Sequence, residues 1–340
     1  MRKNTIMRPV ARKLIAASFV ILFFFPCDAF SQDKPLKKIN WGVTSLSAGN
    51  WIPWIAKEAK IYDKHGLDVQ LILLRGSGQT SAAILGGSIF ASPVTLTTMI
   101  MADLSGADFV NVAHTVAAVA TKLLVRPDIK RVEDLKGKRV GITSLGSLSD
   151  FLLKHTFRKY GLDPNRDITW FMMGTPTERL QGLLAGTVDA AEASYPIDAQ
   201  GEKKGYRILL DLRKEVSYPS MSVVTRRKTI AEDRDTVARM VRAHVEGIAF
   251  FKQNKEFSLR VLGKALKIAD REMLENSYET YKQDFISVPY PITRGLDATY
   301  DFIAQTRPEV RSKKPEEFVD ASFISELEKT GFIKKLYDGK

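Results

Sequence analysis

The stretch from Lys138 to Pro164, KRVGITSLGSLSDFLLKHTFRKYGLDP, sets the tightest limits on what this chain folds into. Val140 to Thr143 is a short apolar, β-branched run, which suits a strand buried on both faces. Leu145-Gly146-Ser147 breaks it with a small-residue turn. Ser147 or Ser149 predicts a helix start, because a Ser hydroxyl accepts from the free N–H groups of a first turn. Asp150 falls in that turn, where the helix dipole favours negative charge. Phe151, Leu152, His155 and Tyr160 recur at helical spacing, and Gly161 ends the helix. Such a unit aims backbone N–H groups and a positive dipole end at one point, a seat for a small anion or polar head group. Gly141 and Gly146 stand at P-loop separation, but Ser147 occupies the position of the phosphate-gripping Lys. No G-x-S-x-G is present, so no nucleophile elbow is expected. An ordinary βα turn without a ligand also satisfies these residues.

The same alternation runs through most of the chain. Strands are expected at Ile39–Val43, Asp68–Leu74, Ile89–Ala91, Asp108–His114, Leu123–Val125, Ile168–Phe171, Val188–Ala193, Arg207–Leu212 and Ser222–Arg226. Helices are expected between them, as at Trp51–Lys60, Gln79–Leu85, Glu178–Ala185 and Asp198–Lys204, with Ser92-Pro93 read as a turn. The β-to-α turns are built from Ser, Gly, Thr or Asn. This pattern predicts parallel, right-handed βαβ units, with ligands bound beyond the carboxyl ends of the strands. After Thr229 the chain becomes largely helical, over Arg234–Asn254, Ser258–Leu266, Arg271–Asp284, Arg294–Ala304 and Phe318–Glu328. No internal repeat is evident.

The N-terminus reads as a secretory leader. Arg2, Lys3, Arg8, Arg12 and Lys13 are followed by an apolar run from Leu14 to Phe25, short for a membrane span. Ala29-Phe30-Ser31 places small residues where a signal peptidase reads them, so residues 1–31 are expected to be a signal peptide cleaved after Ser31. Cys27 is the sole cysteine. Phe25 and Pro26 precede it where a lipidation site needs small residues, which argues against a lipid anchor there. Cleavage after Ser31 leaves no cysteine for a disulfide, a thiolate metal site or a nucleophile. It also removes five basic residues and one acid, so the net charge falls from +12 to +8. Acids intersperse the remaining basic residues, as in Glu202-Lys203-Lys204, and no basic–aromatic ladder points to nucleic acid. About 309 residues remain, enough for two lobes.

Catalytic constellations are not evident. His65, His114, His155 and His244 are scattered, with no H-x-x-x-H or H-E-x-x-H spacing. Met172-Met173 and Met99-Ile100-Met101 read as core rather than copper ligands, which need a thiolate or His set as well. No metal, cofactor or catalytic residue is assigned.

Several runs, taken in order, carry a family likeness: Pro53–Ala56 with Glu58; Tyr62-Asp63-Lys64-His65-Gly66-Leu67-Asp68-Val69; Gly76-Ser77-Gly78; and Ala82–Gly87. Others are Asp134-Leu135-Lys136-Gly137-Lys138-Arg139-Val140-Gly141, Tyr160–Pro164 and Leu183–Ala190. The chain from about residue 36 to 330 resembles the solute-binding proteins of bacterial ABC importers, in the nitrate/sulfonate/taurine-binding and NMT1/THI5-like branch. The resemblance implies an α/β, type II-like periplasmic-binding-protein fold. Two lobes, each a mainly parallel sheet flanked by helices, would be joined by a two-strand hinge around a ligand cleft. Residues 36–120 plus 225–340 would form lobe 1 and 121–224 lobe 2, with crossovers near Val119–Lys122 and Val223–Arg226. Hinge closure around a small anionic or zwitterionic solute would precede delivery to an inner-membrane permease and its ATPase by a periplasmic monomer.

On that fold the cleft would be lined by Ser45, Ser47, Asn50, Trp51, Ser77 and Ser92 from lobe 1. Lobe 2 would add Ser144, Gly146, Ser147, Thr175, Glu192 and Tyr195. Ser147 and the neighbouring amides would hold an anionic head, and Trp51 or Tyr195 would cover an apolar or planar part. Glu192 would favour an amino group if it points into the cleft, or else pair with a lysine. Core packing is equally open for Trp51, and Arg75 suits a solvated strand end as well as an anion ligand. Other solutes fit the same fold: a pyrimidine or thiamine precursor, or an aromatic carboxylate. A periplasmic enzyme or a sensor input is the rival class. The cysteine-rich motif of the eukaryotic pyrimidine-synthesising relatives is absent, and an exported chain does not suit the menaquinone-pathway enzymes of similar shape.

Overall fold

The structure, a computed structural model, describes residues 35–44, 50–74, 76–116, 121–216, 218 and 221–338. The leader with Cys27 and Ser31, and Ser45, Ser47, Arg75 and the crossing at Val119, lie outside the described residues. Residues 35–340 form one compact unit. No helix of the described residues is long and apolar enough to cross a membrane.

The first part runs β1 (Lys37–Val43), α1 (Trp51–Glu58), α2 (Ile61–Lys64), β2 (Leu67–Leu73), α3 (Gly76–Leu85), β3 (Ser92–Thr95), α4 (Leu96–Leu104) and β4 (Phe109–Val116). The second part runs β5 (Thr121–Val125), β6 (Lys138–Ile142), α5 (Leu148–Lys159), β7 (Ile168–Met172), α6 (Pro176–Leu184), β8 (Ala190–Ser194), α7 (Ile197–Lys203), β9 (Arg207–Asp211) and α8 (Leu212–Glu215). Then come β10 (Met221–Arg226), α9 (Arg227–Gln253), α10 (Lys255–Leu266), α11 (Arg271–Asp284), α12 (Asp297–Ala304), α13 (Ser322–Lys329) and α14 (Phe332–Tyr337).

The strands form two sheets of matching plan. β1 and β2 pair in parallel, and β3–β10–β4 is an antiparallel ladder. A parallel bridge at Trp41–Ala91 joins the two, with the Gly42 N–H donating to Ala91 O at 2.9 Å. The first sheet therefore reads β2-β1-β3-β10-β4. The second reads β7-β6-β8-β5-β9, with β6 parallel to both β7 and β8, and β5 antiparallel to β8 and β9. Each sheet places its second, first, third and fourth βα strands in that order and inserts one antiparallel strand between the last two. The inserted strands, β10 and β5, adjoin the two passages of the chain between the sheets. Side-chain chemistry does not repeat between the sheets, so this doubled plan leaves no repeat in the sequence.

Most elements stand within a few residues of expectation. The strand expected at Ile89–Ala91 is displaced to Ser92–Thr95, and Ser92-Pro93 lies inside it. Residues before proline favour extended backbone, so Ser92 enters a strand as readily as a turn. The helix expected from Arg234 is the later segment of α9. The backbone of Asp233 leaves the helix (φ −150°, ψ 62°), and its carboxylate accepts from the Thr236 N–H and Oγ1 at 3.1 and 2.8 Å, capping a new start.

Two histidines sit in the core beneath the first sheet. His114 on β4 meets Ser222 Oγ through Nδ1 at 3.1 Å. His244 on α9 meets Thr115 Oγ1 through Nε2 at 3.0 Å and stacks on Trp41, with ring centroids 5.6 Å apart. Burial pulls the His114 imidazole down to about 4 and His244 to about 3. The unfolded chain therefore takes up these protons first as pH falls. Their contribution is intact above pH 6.5 and is lost on acidification toward those values, by about 2 kcal/mol each between pH 6.5 and 5. Urea unfolding at pH 7 and pH 5 should show this fall, and His244→Phe should remove its share. An unchanged slope in that variant contradicts the assignment.

Candidate functional site

The carboxyl ends of the strands meet where the two sheets face each other. On the first sheet the Leu74 N–H donates to Val43 O at 2.9 Å and the Gly76 N–H to Thr44 O at 3.2 Å, tying the end of β2 to that of β1. On the second, Met173 donates to Ile142 O at 2.8 Å and Gly174 to Thr143 O at 3.2 Å. The turns touch across the crevice. A Cβ at Gly76 (φ +78°) would lie 3.0 Å from Thr143 Cγ2, and one at Gly146 (φ +74°) 3.2 Å from Met101 Sδ. Glycine meets both needs, left-handed backbone and close approach.

The turn between β6 and α5 has the predicted shape. Ser147 is the N-cap of α5, its Oγ accepting from the Asp150 N–H at 3.4 Å and donating to Ser144 O at 2.6 Å. Several of the turn amides, however, have partners within the turn. Thr143 N–H donates to Ser149 Oγ at 2.9 Å, Ser144 N–H to Ser147 Oγ at 3.4 Å, and Gly146 N–H to Asp150 Oδ2 at 2.9 Å. The Asp150 carboxylate is buried and paired with Lys154 at 2.7 Å. Thr175, at the start of α6, repeats the device. Its Oγ1 accepts from Glu178 N–H at 3.3 Å while its own N–H donates to Glu178 Oε2 at 2.8 Å.

Beneath these turns lies Arg179, 2 % exposed. Its Nε donates to Glu192 O at 2.7 Å, and its Nη1 to Thr143 Oγ1 at 2.8 Å and Gly174 O at 2.6 Å. Its Nη2 forms a short ion pair with Glu192 Oε2, and Thr121 donates to the other oxygen of that carboxylate. One guanidinium thus ties together the ends of β6, β7 and β8. Glu192 is held by this buried arginine rather than by a lysine.

The other expected residues are distributed as follows. Asn50 is buried and accepts from Thr44 N–H and Oγ1 at 3.3 and 3.1 Å. Trp51 is buried against Tyr281 and Phe251, with ring centroids 5.5 and 6.4 Å away. Tyr195 packs against the cluster that holds Trp51; burial and the charges of Asp198 and Asp270 push its phenol up to about 12. Ser92 is fully buried and donates to Gly42 O at 3.0 Å, between β1 and β3. Ser77 lies in the first turn of α3.

A cavity of about 290 Å³ opens at this junction. Leu73 and Leu74 form one wall, Thr175 to Glu178 with Pro196 and Ile197 another, and Leu266 at the end of α10 and Ile268 just beyond it close the cavity. Among the described residues no group of three or more His, Cys, Asp and Glu is placed to hold a metal ion. Of the cavity residues Thr175 alone was anticipated from the sequence; Arg179 and the others were not. Arg179 does interrupt the apolar face of α6, beside Leu180 and Leu183, and that was its one available signal.

The fold these sheets define is that of the periplasmic binding proteins, two α/β lobes facing each other across a crevice. The chain belongs to the NMT1/THI5-like family, whose profile matches residues 52–256, more than half of its length. A candidate binding protein of Brucella abortus, BAB2_1146, is 26% identical over 283 residues, covering 80% of this chain and 83% of that one. The alkanesulfonate-binding protein SsuA of Xanthomonas axonopodis pv. citri, solved with MOPS bound, superposes with a TM-score of 0.72 at 18% identity, over 84% of this chain and 99% of that one. The periplasmic nitrate-binding protein NrtA of Synechocystis PCC 6803 superposes with a TM-score of 0.71 at 14% identity, over 87% and 89%.

Proposed function

We propose that this chain is the exported solute-binding component of an ABC importer, without catalytic activity. The carrying observation is the convergence of strand-end turns from two sheets of the same plan on one crevice, where ligands of open α/β sheets bind. The first sheet with the helices after Arg226 would form one lobe and the strands from Thr121 to Asp211 the other. The two passages between them would act as the hinge. A solute that touches both walls favours the closed form by its extra contacts there, and a membrane permease with its ATPase would read that form. The leader expected over residues 1–31 places the mature monomer in the periplasm. Nitrate, sulfonates and taurine are the first candidate solutes, since SsuA and NrtA share the fold and are named for alkanesulfonate and nitrate.

The test is thermal unfolding of residues 32–340 against nitrate, taurine, alkanesulfonates, pyrimidines and aromatic carboxylates. A ligand at about 100 times its Kd adds about 2.7 kcal/mol, a rise of a few degrees in midpoint for a chain of this size. Binding without turnover supports the proposal. Conversion of any of these compounds by the pure protein would overturn it in favour of an enzyme.

A further inference from the structure

The geometry points to an amphiphilic organic solute whose apolar body lodges between Leu73–Leu74 and Leu266–Ile268, and against a free inorganic oxyanion. This rests on the solute-binding reading above and narrows the class of solute. Two independent features of the crevice carry it.

The first is that both long helix starts facing the crevice from the second sheet already carry a carboxylate of their own. Asp150 takes the Gly146 amide at the start of α5, and Glu178 takes the Thr175 amide at the start of α6. An oxyanion seated at either point would lie beside the charge of that carboxylate. Lys154 is paired with Asp150 at 2.7 Å. Like charges at such separations disfavour each other, and the dipole of each helix is already answered.

The second is the cavity itself. Seven of its eleven lining residues are aliphatic or proline, contributed by the end of β2 and the residue after it, by the starts of α6 and α7, and by the end of α10 and the segment after it. At about 290 Å³ it is close to the lower end of small-molecule sites, ~300–1,000 Å³, and far larger than a nitrate requires. Leu73, which closes β2, is a large apolar side chain left exposed there, and beyond the lining Leu145 after β6 and Met172 closing β7 are exposed at strand ends as well. Apolar walls contributed by both sides gain from a body that displaces water as the two sides meet, and an inorganic anion brings no such surface.

The experiment crosses two tails, methyl and hexyl, with three heads, sulfonate, carboxylate and ammonium, and adds nitrate and sulfate, by titration calorimetry on residues 32–340. Each buried methylene is worth about fourfold in affinity. For whichever head binds, hexyl should exceed methyl by at least ~100-fold, and Leu266→Asp should cut that ratio to below ~10-fold in a protein with unchanged far-UV circular dichroism. Nitrate and sulfate should give no heat. Mass spectrometry of molecules released on unfolding the purified protein should find one with an apolar body. Nitrate or sulfate binding as tightly as the best hexyl compound overturns the inference and leaves the solute-binding reading standing. So does equal affinity for methyl and hexyl, or release of a solute with no apolar part. Silence from every compound with nothing released overturns both.

Discussion

Arg179→Ala is expected to destabilise the protein by about 3–5 kcal/mol, read as a fall in the urea midpoint. The guanidinium is buried, and all of its described partners are internal: Glu192 by side chain and carbonyl, Thr143 Oγ1 and Gly174 O. Removing it leaves the Glu192 carboxylate in the interior with only Thr121 to answer it. The cost is mostly that of an unanswered buried charge, so removing both charges should restore much of the loss. Arg179→Met with Glu192→Leu is therefore expected to be markedly more stable than Arg179→Ala alone, a coupling that a double-mutant cycle measures directly. A loss under about 1 kcal/mol for the single variant would show that the pair is solvated in solution. Arg179→Lys should fall between them, since an ammonium cannot span three strand ends with a planar fork.

Trp51→Ala is expected to cost about 3–5 kcal/mol, the range for deleting a large buried aromatic. The ring is 1 % exposed and packed among Phe251, Tyr281 and the start of α1, where Ile52 and Ile55 are also buried. Its indole Nε1 has no hydrogen-bond partner among the described residues, so Trp51→Phe removes volume but no hydrogen bond seen there and should cost less than half as much. Burial and ligand contact make opposite forecasts for that conservative variant. If Trp51 covers the solute, Trp51→Phe weakens binding at nearly unchanged stability. The packing predicts lower stability with binding retained, and thermal unfolding with and without a bound ligand separates the two.

What was legible in the sequence was what local chemistry decides. The β6–α5 unit reads directly from Val140 to Gly161, because strand, cap and stop are all set within a few residues. Ser147 or Ser149 was expected as the cap, and Ser147 is the one used. The use of its turn was not foreseen, although the spacing Ser147-Leu148-Ser149-Asp150 carried the signal. A carboxylate three residues after a capping serine tends to reach back to a free amide. Glu192 shows the opposite limit. Its partner Arg179 lies on another element thirteen residues away, and only the packing of α6 on β8 brings them together. Sheet order was hidden for the same reason. Nothing in Thr121–Val125 or Met221–Arg226 distinguishes an inserted antiparallel strand from one of the parallel series. The cavity walls are scattered from Leu73 to Ile268, so no sequence window contains them.

The inserted strands also set an order of events on the ribosome. All five strands of the second sheet lie between Thr121 and Asp211, and they emerge before β10 exists. The first sheet begins earlier yet finishes later. Until Arg226 is out, β3 and β4 have no strand between them, and each holds an open edge of backbone donors and acceptors. β4 and one edge of β3, synthesised early, thus wait unpaired until the whole second sheet has been threaded out. That interval is when a nascent chain of this design is most exposed to wrong pairing.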